Sequence, residues 1–342
     1  MINDVSIIIP CCNEERFIGE CLDSIIGNEY PKDQLEVVVV DGMSEDGTRA
    51  IVEGYARRHA FIKLLDNPKK IIPAAMNIGS RHVRGEIIMK IDAHSTYERK
   101  YISKCVRFLT EYHADNVGGI WKIMPGGDTT VAKAIALALA HPFGSGNARI
   151  KIGSKKPRWA DTAAFGCYRK EVFRKIGVWN EELAGSSDMD FNTRLKEAGG
   201  RILLVPEIAI NYYADANVRA FWRHNFADGV WATYVLKFRS KASSSRHWIP
   251  LAFVSSLIGS AALSAGLPGF RWVFGSITGA YALANFGASV HIAMRERHLP
   301  YLVTMPIVFA TRHMGHGLGA LWGLVLALMS GKHWKGRRSR DV

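Results

Sequence analysis

The sequence lacks the short motifs that mark several large classes of nucleotide-binding and redox proteins. No G-x-G-x-x-G follows the first apolar run and no G-x-x-x-x-G-K-[ST] occurs, which argues against a nicotinamide-dependent dehydrogenase and a P-loop protein. The five cysteines are odd in number and form no C-x-x-C pair, so a reduced compartment fits better than a disulfide scaffold. The amino terminus has neither a basic region nor a cleavage site, and we predict no signal peptide.

Acidic residues are scarce relative to basic ones. The 342 residues include 44 Lys and Arg against 31 Asp and Glu, a formal net charge of +13. This charge makes nucleic acid, nucleotide phosphates and anionic lipid candidate partners. Much of it flanks apolar segments near the carboxyl terminus, where anionic lipid explains it, so we predict no nucleic-acid partner.

Three apolar runs in the first hundred residues predict parallel β-strands. They are "VSIIIP", "EVVVVDG" and "GEIIMKIDAH", and helical patterns separate them. This alternation is typical of βαβ units, in which ligands bind beyond the carboxyl ends of the strands. The polar segments Pro10–Glu14, Asp41–Asp46 and Asp92–His94 all fall at such ends. We therefore expect one rim that suits a ligand with phosphate and hydroxyl groups.

Asp41 and Asp46 flank the turn "DGMSEDGT". A carboxylate at a strand end, such as Asp41, can accept a hydrogen bond from a nucleobase N–H. The alternative is a capped turn in which Ser44 opens a helix. For Asp46 and Gly47 alone, the capped turn is the favoured interpretation.

Two further clusters carry potential chemistry. In "DAH", the two-residue spacing lets Asp92 and His94 face the same Mn²⁺ or Mg²⁺ ion, although a surface histidine is an equal alternative. In "GSSDMDFNTRLKEAGG", Asp188 and Asp190 lie at the start of an amphipathic helix, with Arg194 on the same helix. These acids either complement the helix dipole or provide a general base for an attacking hydroxyl.

Four segments in order resemble family 2 inverting glycosyltransferases with the GT-A fold: "IIIPCCNEE", "VVDGMSEDGT", "AMNIGSRHVRGEIIMKIDAH" and "SSDMDFNTRLKEAGG". The resemblance covers roughly residues 4–240. "VGGIWKIMPGG" and "WADTAAFGCYRKEVFRKIGVWNEEL" are similar to the succinoglycan-type exopolysaccharide glucosyltransferases in particular, a branch in which Asp-x-His in place of Asp-x-Asp is unsurprising. The resemblance implies an α/β fold, with a GT-A nucleotide-sugar-binding domain and a mostly parallel sheet over residues 1–240.

The resemblance also implies roles for individual residues. It assigns Asp41 to the uracil of a UDP-sugar, Asp92 to the ribose and metal region, and Asp188 to the catalytic base. His94 becomes a ligand, with Asp92, of a divalent Mn or Mg cofactor. Ser187 departs from the family pattern, because a glutamate is common at its position. The other implied donor contacts are Pro10, Asn13, Glu14, Asp46, Asn77 and Gly79. The implied contacts to the acceptor or diphosphate are Asp190, Arg194, Arg219, Trp222 and Arg223.

The carboxyl-terminal region contains long apolar stretches. Segments at about 248–267, 270–294 and 299–329 each reach the ~20 residues that cross a hydrocarbon core of ~30 Å. We therefore predict a membrane region over residues 241–330 with two spanning helices. The third segment is predicted to span, to re-enter or to lie at the interface, because Arg312, His313 and His316 are costly in lipid. Flanking basic residues and a basic tail at 331–342 predict a multi-pass inner-membrane protein with a cytoplasmic catalytic domain.

The resulting hypothesis is a membrane-anchored inverting glycosyltransferase. It would move a hexose, with glucose favoured by the resemblance, from a UDP-sugar to a lipid-linked saccharide on a polyprenyl diphosphate. The context would be exopolysaccharide or related glycan synthesis. Two alternatives remain open: a non-catalytic nucleotide- or lipid-binding membrane protein of the same fold, and a processive polysaccharide synthase.

Overall fold

The apolar runs of the amino-terminal half form a sheet, as the sequence predicts. The computed structural model describes residues 4–146, 148–239 and 245–329. The strands are β1 (Val5–Cys11), β2 (Leu35–Asp41), β3 (Ile62–Asp66), β4 (Ile87–Lys90), β5 (Asn116–Met124), β6 (Arg158–Trp159), β7 (Ala164–Arg169) and β8 (Ile202–Tyr213). Their order across the sheet is β3-β2-β1-β4-β7-β5-β8-β6. The first four strands are parallel, whereas β7 runs antiparallel to β4 and β5.

Helices connect the parallel strands and make up most of the rest of the described chain. The amino-terminal helices are α1 (Ile18–Ile26), α2 (Thr48–Arg58), α3 (Ile72–His82) and α4 (Tyr101–Glu111). The middle of the chain contains α5 (Thr130–Ala140), α6 (Pro142–Ser145), α7 (Arg149–Ile152), α8 (Lys170–Ile176) and α9 (Ser187–Glu197). The last helices are α10 (Val218–Tyr234), α11 (Ser245–Leu263), α12 (Gly269–Arg295) and α13 (Tyr301–Met329). Short 3₁₀ turns occur at Lys32–Gln34 and Val235–Lys237.

Both faces of the sheet are buried. Along β1, Ile7 and Ile9 belong to one apolar cluster, and Ile8 belongs to a second cluster on the opposite face. This division follows from the two-residue period of a strand, and it explains why the runs are continuously apolar rather than alternating. Helix α3 packs tightly on β1, because a Cβ added at Gly79 would lie 2.6 Å from Cγ2 of Ile8.

The described residues group into two compact units that are not continuous in sequence. The first unit comprises residues 4–122 and 153–212 and contains the parallel strands with α1–α4, α8 and α9. The second unit comprises residues 123–152 and 213–329, apart from the stretches outside the described ranges, and contains α5–α7 and α10–α13. The predicted basic tail at 331–342 lies outside the described residues.

Within the second unit, α10 and α13 approach each other closely through glycines. A Cβ at Gly319 would lie 2.0 Å from the carbonyl oxygen of Phe226, and one at Gly323 would lie 2.2 Å from that of Val230. From the other helix, a Cβ at Gly229 would lie 2.1 Å from the carbonyl oxygen of His316. Only glycine permits such backbone contact, so the glycine content of α13 is explained by helix packing.

The predicted membrane spans are wrong. None of the helices in the described ranges combines the length and the hydropathy that crossing a membrane requires. The helices α11, α12 and α13 do occupy the predicted segments, but serine, asparagine, histidine and glycine dilute their apolar residues. The predicted multi-pass topology depended on these spans and is therefore not supported.

The polar residues of the third apolar segment make contacts between helices of the second unit. The Arg312 guanidinium donates hydrogen bonds to the carbonyl oxygen of Gly144 and, over 2.5 Å, to Oδ1 of Asn225. His313 lies 2.9 Å from the carbonyl oxygen of Phe143 through Nε2 and 3.0 Å from the Tyr281 hydroxyl through Nδ1. The helix around them, α13, is continuous from Tyr301 to Met329.

Candidate active site

A pocket of about 220 Å³ opens at the carboxyl ends of the parallel strands. The segment after β1 contributes Glu14, the segment after β2 contributes Gly42, and the segment after β4 contributes Asp92 and His94. Lys70, from the segment between β3 and α3, completes the polar lining. The strands β2, β1 and β4 are neighbours in the sheet, so their ends meet at one edge. The predicted rim is therefore present.

Hydrogen bonds lock the loop after β1 to the loop after β2. Asn13 adopts a left-handed backbone with φ 56°, which asparagine tolerates better than most residues. Its N–H donates to Oγ of Ser44 over 2.8 Å, and its Oδ1 accepts from the N–H of Glu45 over 2.8 Å. The N–H of Glu14 donates to Oγ1 of Thr48 over 2.7 Å. These hydrogen bonds hold the loops after β1 and β2 together at the rim.

The two acids of the loop after β2 differ in their surroundings. Asp41 is fully buried and accepts hydrogen bonds from the Ser44 hydroxyl over 2.5 Å and from the Ser44 N–H over 3.1 Å. The helix α2 begins at Thr48 with Gly47 at the N-cap position, not at Ser44. Asp46 lies just before it, and its Oδ1 accepts from the N–H of Thr48 over 3.0 Å and from its hydroxyl. The Thr48 hydroxyl bond lowers the pKa of Asp46. Asp46 therefore makes the capped-turn contacts that its spacing favours.

The predicted metal pair lies in the pocket beside a third ionisable group. Nδ1 of His94 lies 3.0 Å from Oε1 of Glu14. This hydrogen bond raises the pKa of His94 against the opposing effect of burial, and the charge of Asp92 adds to the rise. Burial raises the pKa of Asp92, and the charges of Lys90 and His94 offset only part of that rise.

The residues of the pocket fit a divalent ion that the phosphates of a nucleotide-sugar donor would also help to bind. No group of three or more His, Cys, Asp and Glu side chains in the described ranges is arranged to hold a metal on its own. Asp92 and His94 nevertheless offer an oxygen and a nitrogen ligand in one pocket, and Mn²⁺ or Mg²⁺ bound by few protein ligands is usually completed by substrate phosphates and water. Because Glu14 engages Nδ1 of His94, Nε2 would be the nitrogen that binds such an ion, the arrangement that carboxylates commonly impose on metal-binding histidines.

Asp188 is tied to the same strand end. It lies in the first turn of α9, and its Oδ2 accepts a hydrogen bond from Nζ of Lys90 over 2.6 Å. Lys90 is the last residue of β4, only two positions before Asp92. The predicted base and the predicted metal pair are thereby brought to one place in the first unit.

Asp190 and Arg194 lie in the interior of the first unit. Asp190 is fully buried, and its Oδ2 accepts from Nε of Arg194 over 2.9 Å. The same guanidinium donates to the carbonyl oxygens of Ile176, over 2.6 Å, and Val178, over 2.9 Å. These contacts fasten α9 to the turn after α8.

Asn77 and Gly79, on α3, also have internal contacts. The buried Asn77 amide donates to the carbonyl oxygen of Trp179 and to Glu181, and its Oδ1 accepts from the Trp179 N–H over 2.8 Å. Gly79 packs against β1 as described above. Neither residue is part of the pocket lining.

The predicted acceptor contacts of the carboxyl-terminal half belong to the second unit. Arg219, Trp222 and Arg223 are exposed side chains on α10, and Trp222 is 37% exposed. On the same helix, His224 lies 3.1 Å from the Asp215 carboxylate. The hydrogen bond with Asp215 raises the pKa of His224.

Sequence reasoning missed two residues of the site, Lys90 and Lys70. Lys90 interrupts the apolar run "IIMKI". A lysine inside a buried strand is rare unless a carboxylate pairs with it, so the sequence itself indicates an acidic partner for Lys90. Lys70 follows a short strand, β3, whose run "IKLLD" is too short and too polar to stand out. Its contribution to the pocket is visible only in the structure.

The amino-acid sequence matches a known protein family. The sequence pattern of the family described as Glycosyl transferase family 2 matches residues 6–177. The chain belongs to glycosyltransferase family 2. Its matched residues include β1, β2, β4 and the pocket loops between them. It is accordingly a transferase that acts in polysaccharide or other glycan synthesis.

Several proteins are similar to this glycosyltransferase over most of its length. The succinoglycan biosynthesis protein ExoA of Rhizobium meliloti is 29% identical over 316 residues, which cover 92% of each chain. A relative from Methanococcus voltae is 23% identical over 333 residues, covering 95% of this chain and 98% of its own. That relative is named dolichyl N-acetyl-alpha-D-glucosaminyl phosphate 3-beta-D-2,3-diacetamido-2,3-dideoxy-beta-D-glucuronosyltransferase.

A solved structure supports the fold. The mannosyltransferase PcManGT from Pyrobaculum calidifontis, solved in complex with GDP-Man and Mn²⁺, aligns with a TM-score of 0.59 at 20% identity. The alignment covers 94% of this chain and 88% of that one. The predicted GT-A α/β fold with a mostly parallel mixed sheet is confirmed.

Proposed function

We propose that this glycosyltransferase moves a hexose from a UDP-sugar to a lipid-linked saccharide by an inverting, metal-dependent single displacement, with Asp188 as the base. The observation that carries the proposal is the position of Asp188, whose carboxylate is bonded to Lys90 two residues before Asp92. The base and the predicted ion site therefore lie at the end of one strand.

The pocket supports a nucleotide-diphosphate donor. Its lining includes Gly42, where a Cβ would lie 2.9 Å from Cβ of Cys12, so glycine lets the loops after β1 and β2 pack closely beside the pocket. Lys70 supplies a positive charge in the lining, and Asp41 lies at the end of β2, where the family resemblance puts the uracil contact. Glucose is the proposed sugar because the sequence resembles succinoglycan-type exopolysaccharide glucosyltransferases.

The chemistry requires one proton acceptor and compensation of charge on the leaving group. The acceptor hydroxyl gives its proton to the Asp188 carboxylate while its oxygen attacks the anomeric carbon from the face opposite the nucleotide. The bond from the anomeric carbon to the diphosphate oxygen breaks, so an α-linked donor gives a β-glycoside. A bound Mn²⁺ or Mg²⁺ would supply positive charge against the departing diphosphate. Asp92 and His94 would hold that ion.

The proposed acceptor follows from the relatives. The name of the Methanococcus relative specifies a dolichyl-linked sugar phosphate, and ExoA is named for the synthesis of a polysaccharide, succinoglycan. Both cover more than nine-tenths of their own length in the match. The first name supports a lipid-linked acceptor, and the polyprenyl diphosphate carrier is the one proposed from the family resemblance.

A donor screen tests the proposal. Purified full-length protein is incubated with UDP-glucose, UDP-galactose or UDP-N-acetylglucosamine and a polyprenyl-diphosphate saccharide, with and without Mn²⁺, and UDP release and product mass are recorded. We expect Mn²⁺-dependent transfer whose rate falls about 10²–10⁴-fold in Asp188→Asn. Asp33→Asn, an exposed acid in the turn before β2, is the matched control and should remain active.

Two results would contradict the proposal. One is transfer at an unchanged rate by Asp188→Asn, which would show that Asp188 is not the base. The other is UDP binding with no turnover on any donor and acceptor, which would favour the non-catalytic alternative. The configuration of the new bond, read from the anomeric proton coupling in the NMR spectrum, tests inversion separately.

A further inference from the structure

Lys90 is a charged residue in a place where charges are rare. It is the carboxyl-terminal residue of β4, its side chain is 7% exposed, and β1 and β7 pair with β4 on either side. A buried ammonium is stable only when a partner compensates for its lost hydration. The Asp188 carboxylate, with Oδ2 at 2.6 Å, is that partner.

The electrostatic surroundings keep Lys90 charged. Burial alone would lower its pKa, but the charges of Asp188 and Asp92 outweigh this effect and raise the pKa of Lys90 above its ordinary value. Lys90 and Asp92 are two residues apart in an extended segment, so their side chains point to the same side of the sheet. Lys90 is therefore bonded to the proposed base and is close enough to the acid of the predicted metal pair to feel its charge.

Asp188 has little other support. Its second oxygen, Oδ1, is enclosed and accepts no hydrogen bond from any residue in the described part of the chain. The residue before α9, Ser186, makes no capping hydrogen bond through its side chain and has a left-handed backbone with φ 54°. The bond from Lys90 therefore fixes the direction of the Asp188 carboxylate.

We propose that Lys90 is the positioning residue of the base: by holding Oδ2 of Asp188 at the end of β4, it sets the orientation of the carboxylate that takes the proton. The inference rests on the proposed function, in which Asp188 takes the proton. A simple structural role for the ion pair, in which it only fastens α9 to the sheet, makes different predictions, because such a pair would affect folding rather than turnover.

The test is a double-mutant cycle between Lys90→Met and Asp188→Asn. Transfer from the UDP-sugar and UDP binding are both measured on full-length protein. We expect Lys90→Met to lower kcat at least 10-fold, because a misplaced catalytic group can cost about 10²-fold, while the donor KM and the UDP affinity stay within about twofold. In the Asp188→Asn background the same change should have no further effect on kcat, since Lys90 acts through the carboxylate.

Two variants complete the design. Lys90→Arg keeps the charge and should retain at least a tenth of the wild-type kcat. Lys196→Met is the matched control, because Lys196 lies on the same helix as Asp188 and pairs with Asp161 at the surface, and its kcat should be unchanged. Should Lys90→Met lose UDP binding through misfolding, Lys90→Gln is scored by the same criteria.

The outcomes separate the inference from the proposed function. A wild-type enzyme that transfers sugar, with Asp188→Asn impaired and Lys90→Met unimpaired, overturns the role of Lys90 alone. An equal loss from Lys90→Met in the presence and absence of the Asp188 carboxylate also overturns it. Full activity of Asp188→Asn overturns the proposed base, and absence of any transfer by the wild type overturns the proposed function.

Discussion

Oε1 of Glu14 lies 3.0 Å from Nδ1 of His94, and this contact joins the loop after β1 to the loop after β4. The two residues are 80 positions apart in sequence. Of the two, only His94 was predicted as a metal ligand, and Glu14 was predicted as a donor contact. The geometry makes Glu14 the group that sets the orientation of the imidazole.

Glu14→Gln should weaken the response to metal. The amide is a poorer acceptor than the carboxylate, so Nδ1–H is held less firmly and Nε2 becomes a weaker ligand; such changes commonly cost 10–100-fold in metal affinity or activity. The measurement is Mn²⁺ binding by electron paramagnetic resonance in the presence of UDP, which does not depend on turnover. Glu20→Gln, an exposed acid on α1, is the control. Equal Mn²⁺ affinity in the wild type and Glu14→Gln would disprove this role.

Metal binding should depend on pH through His94. The hydrogen bond with Glu14 raises the pKa of His94 above 6.5, and a protonated imidazole cannot bind a metal ion. As pH falls from about 8 to 6, protons should therefore compete more strongly and the Mn²⁺ concentration for half-saturation should rise. In His94→Gln this increase should be smaller. A half-saturation that is constant over the whole range in the wild type would count against His94 as a ligand.

Asn77→Ala should destabilise the first unit and leave donor binding unchanged. The substitution removes three hydrogen bonds to the Trp179–Glu181 segment and leaves the buried N–H of Trp179 without its acceptor. We expect a loss of about 2–4 kcal/mol in the free energy of unfolding, measured with urea. His82→Ala, exposed on the same helix, should change it by about 0.5 kcal/mol or less. Unchanged stability with a large rise in donor KM would instead support a donor contact at Asn77.

Gly319→Ala should loosen the contact between α10 and α13. The new Cβ would meet the carbonyl oxygen of Phe226 at 2.0 Å, so the helices must separate, at a cost of about 1–3 kcal/mol. Gly275→Ala on α12 is the matched control, because no atom lies within 4 Å of its added Cβ, and alanine favours a helix by about 1 kcal/mol. Thermal unfolding followed by circular dichroism should show a lower midpoint for the first variant only. Equal midpoints would contradict the close packing.

The sequence alone determined the parallel core and its rim. Continuous apolar runs that reach Pro10, Asp41 and Asp92 reflect strands buried on both faces that lead into polar loops. The strands β1, β2 and β4 end within two residues of these positions, at Cys11, Asp41 and Lys90. The prediction succeeds because the apolar residues of a strand and the polar residues after it are local features of the sequence. The short strand β3 and the antiparallel β7 escaped prediction, since their runs are brief and their partners lie far along the chain.

Tertiary structure decided which polar residues share the site and which stay in the interior. Asp188 and Asp190 lie in the same short motif, yet one contacts Lys90 and the other is buried against Arg194. Positions two residues apart in a helix lie about 200° apart around its axis and so face different environments. The helix α13 shows the same limit: its composition gives its hydrophobicity, but only the packing shows that its glycines and Arg312 make contacts with other helices. Pairing across 98 residues, as between Lys90 and Asp188, is a product of the fold.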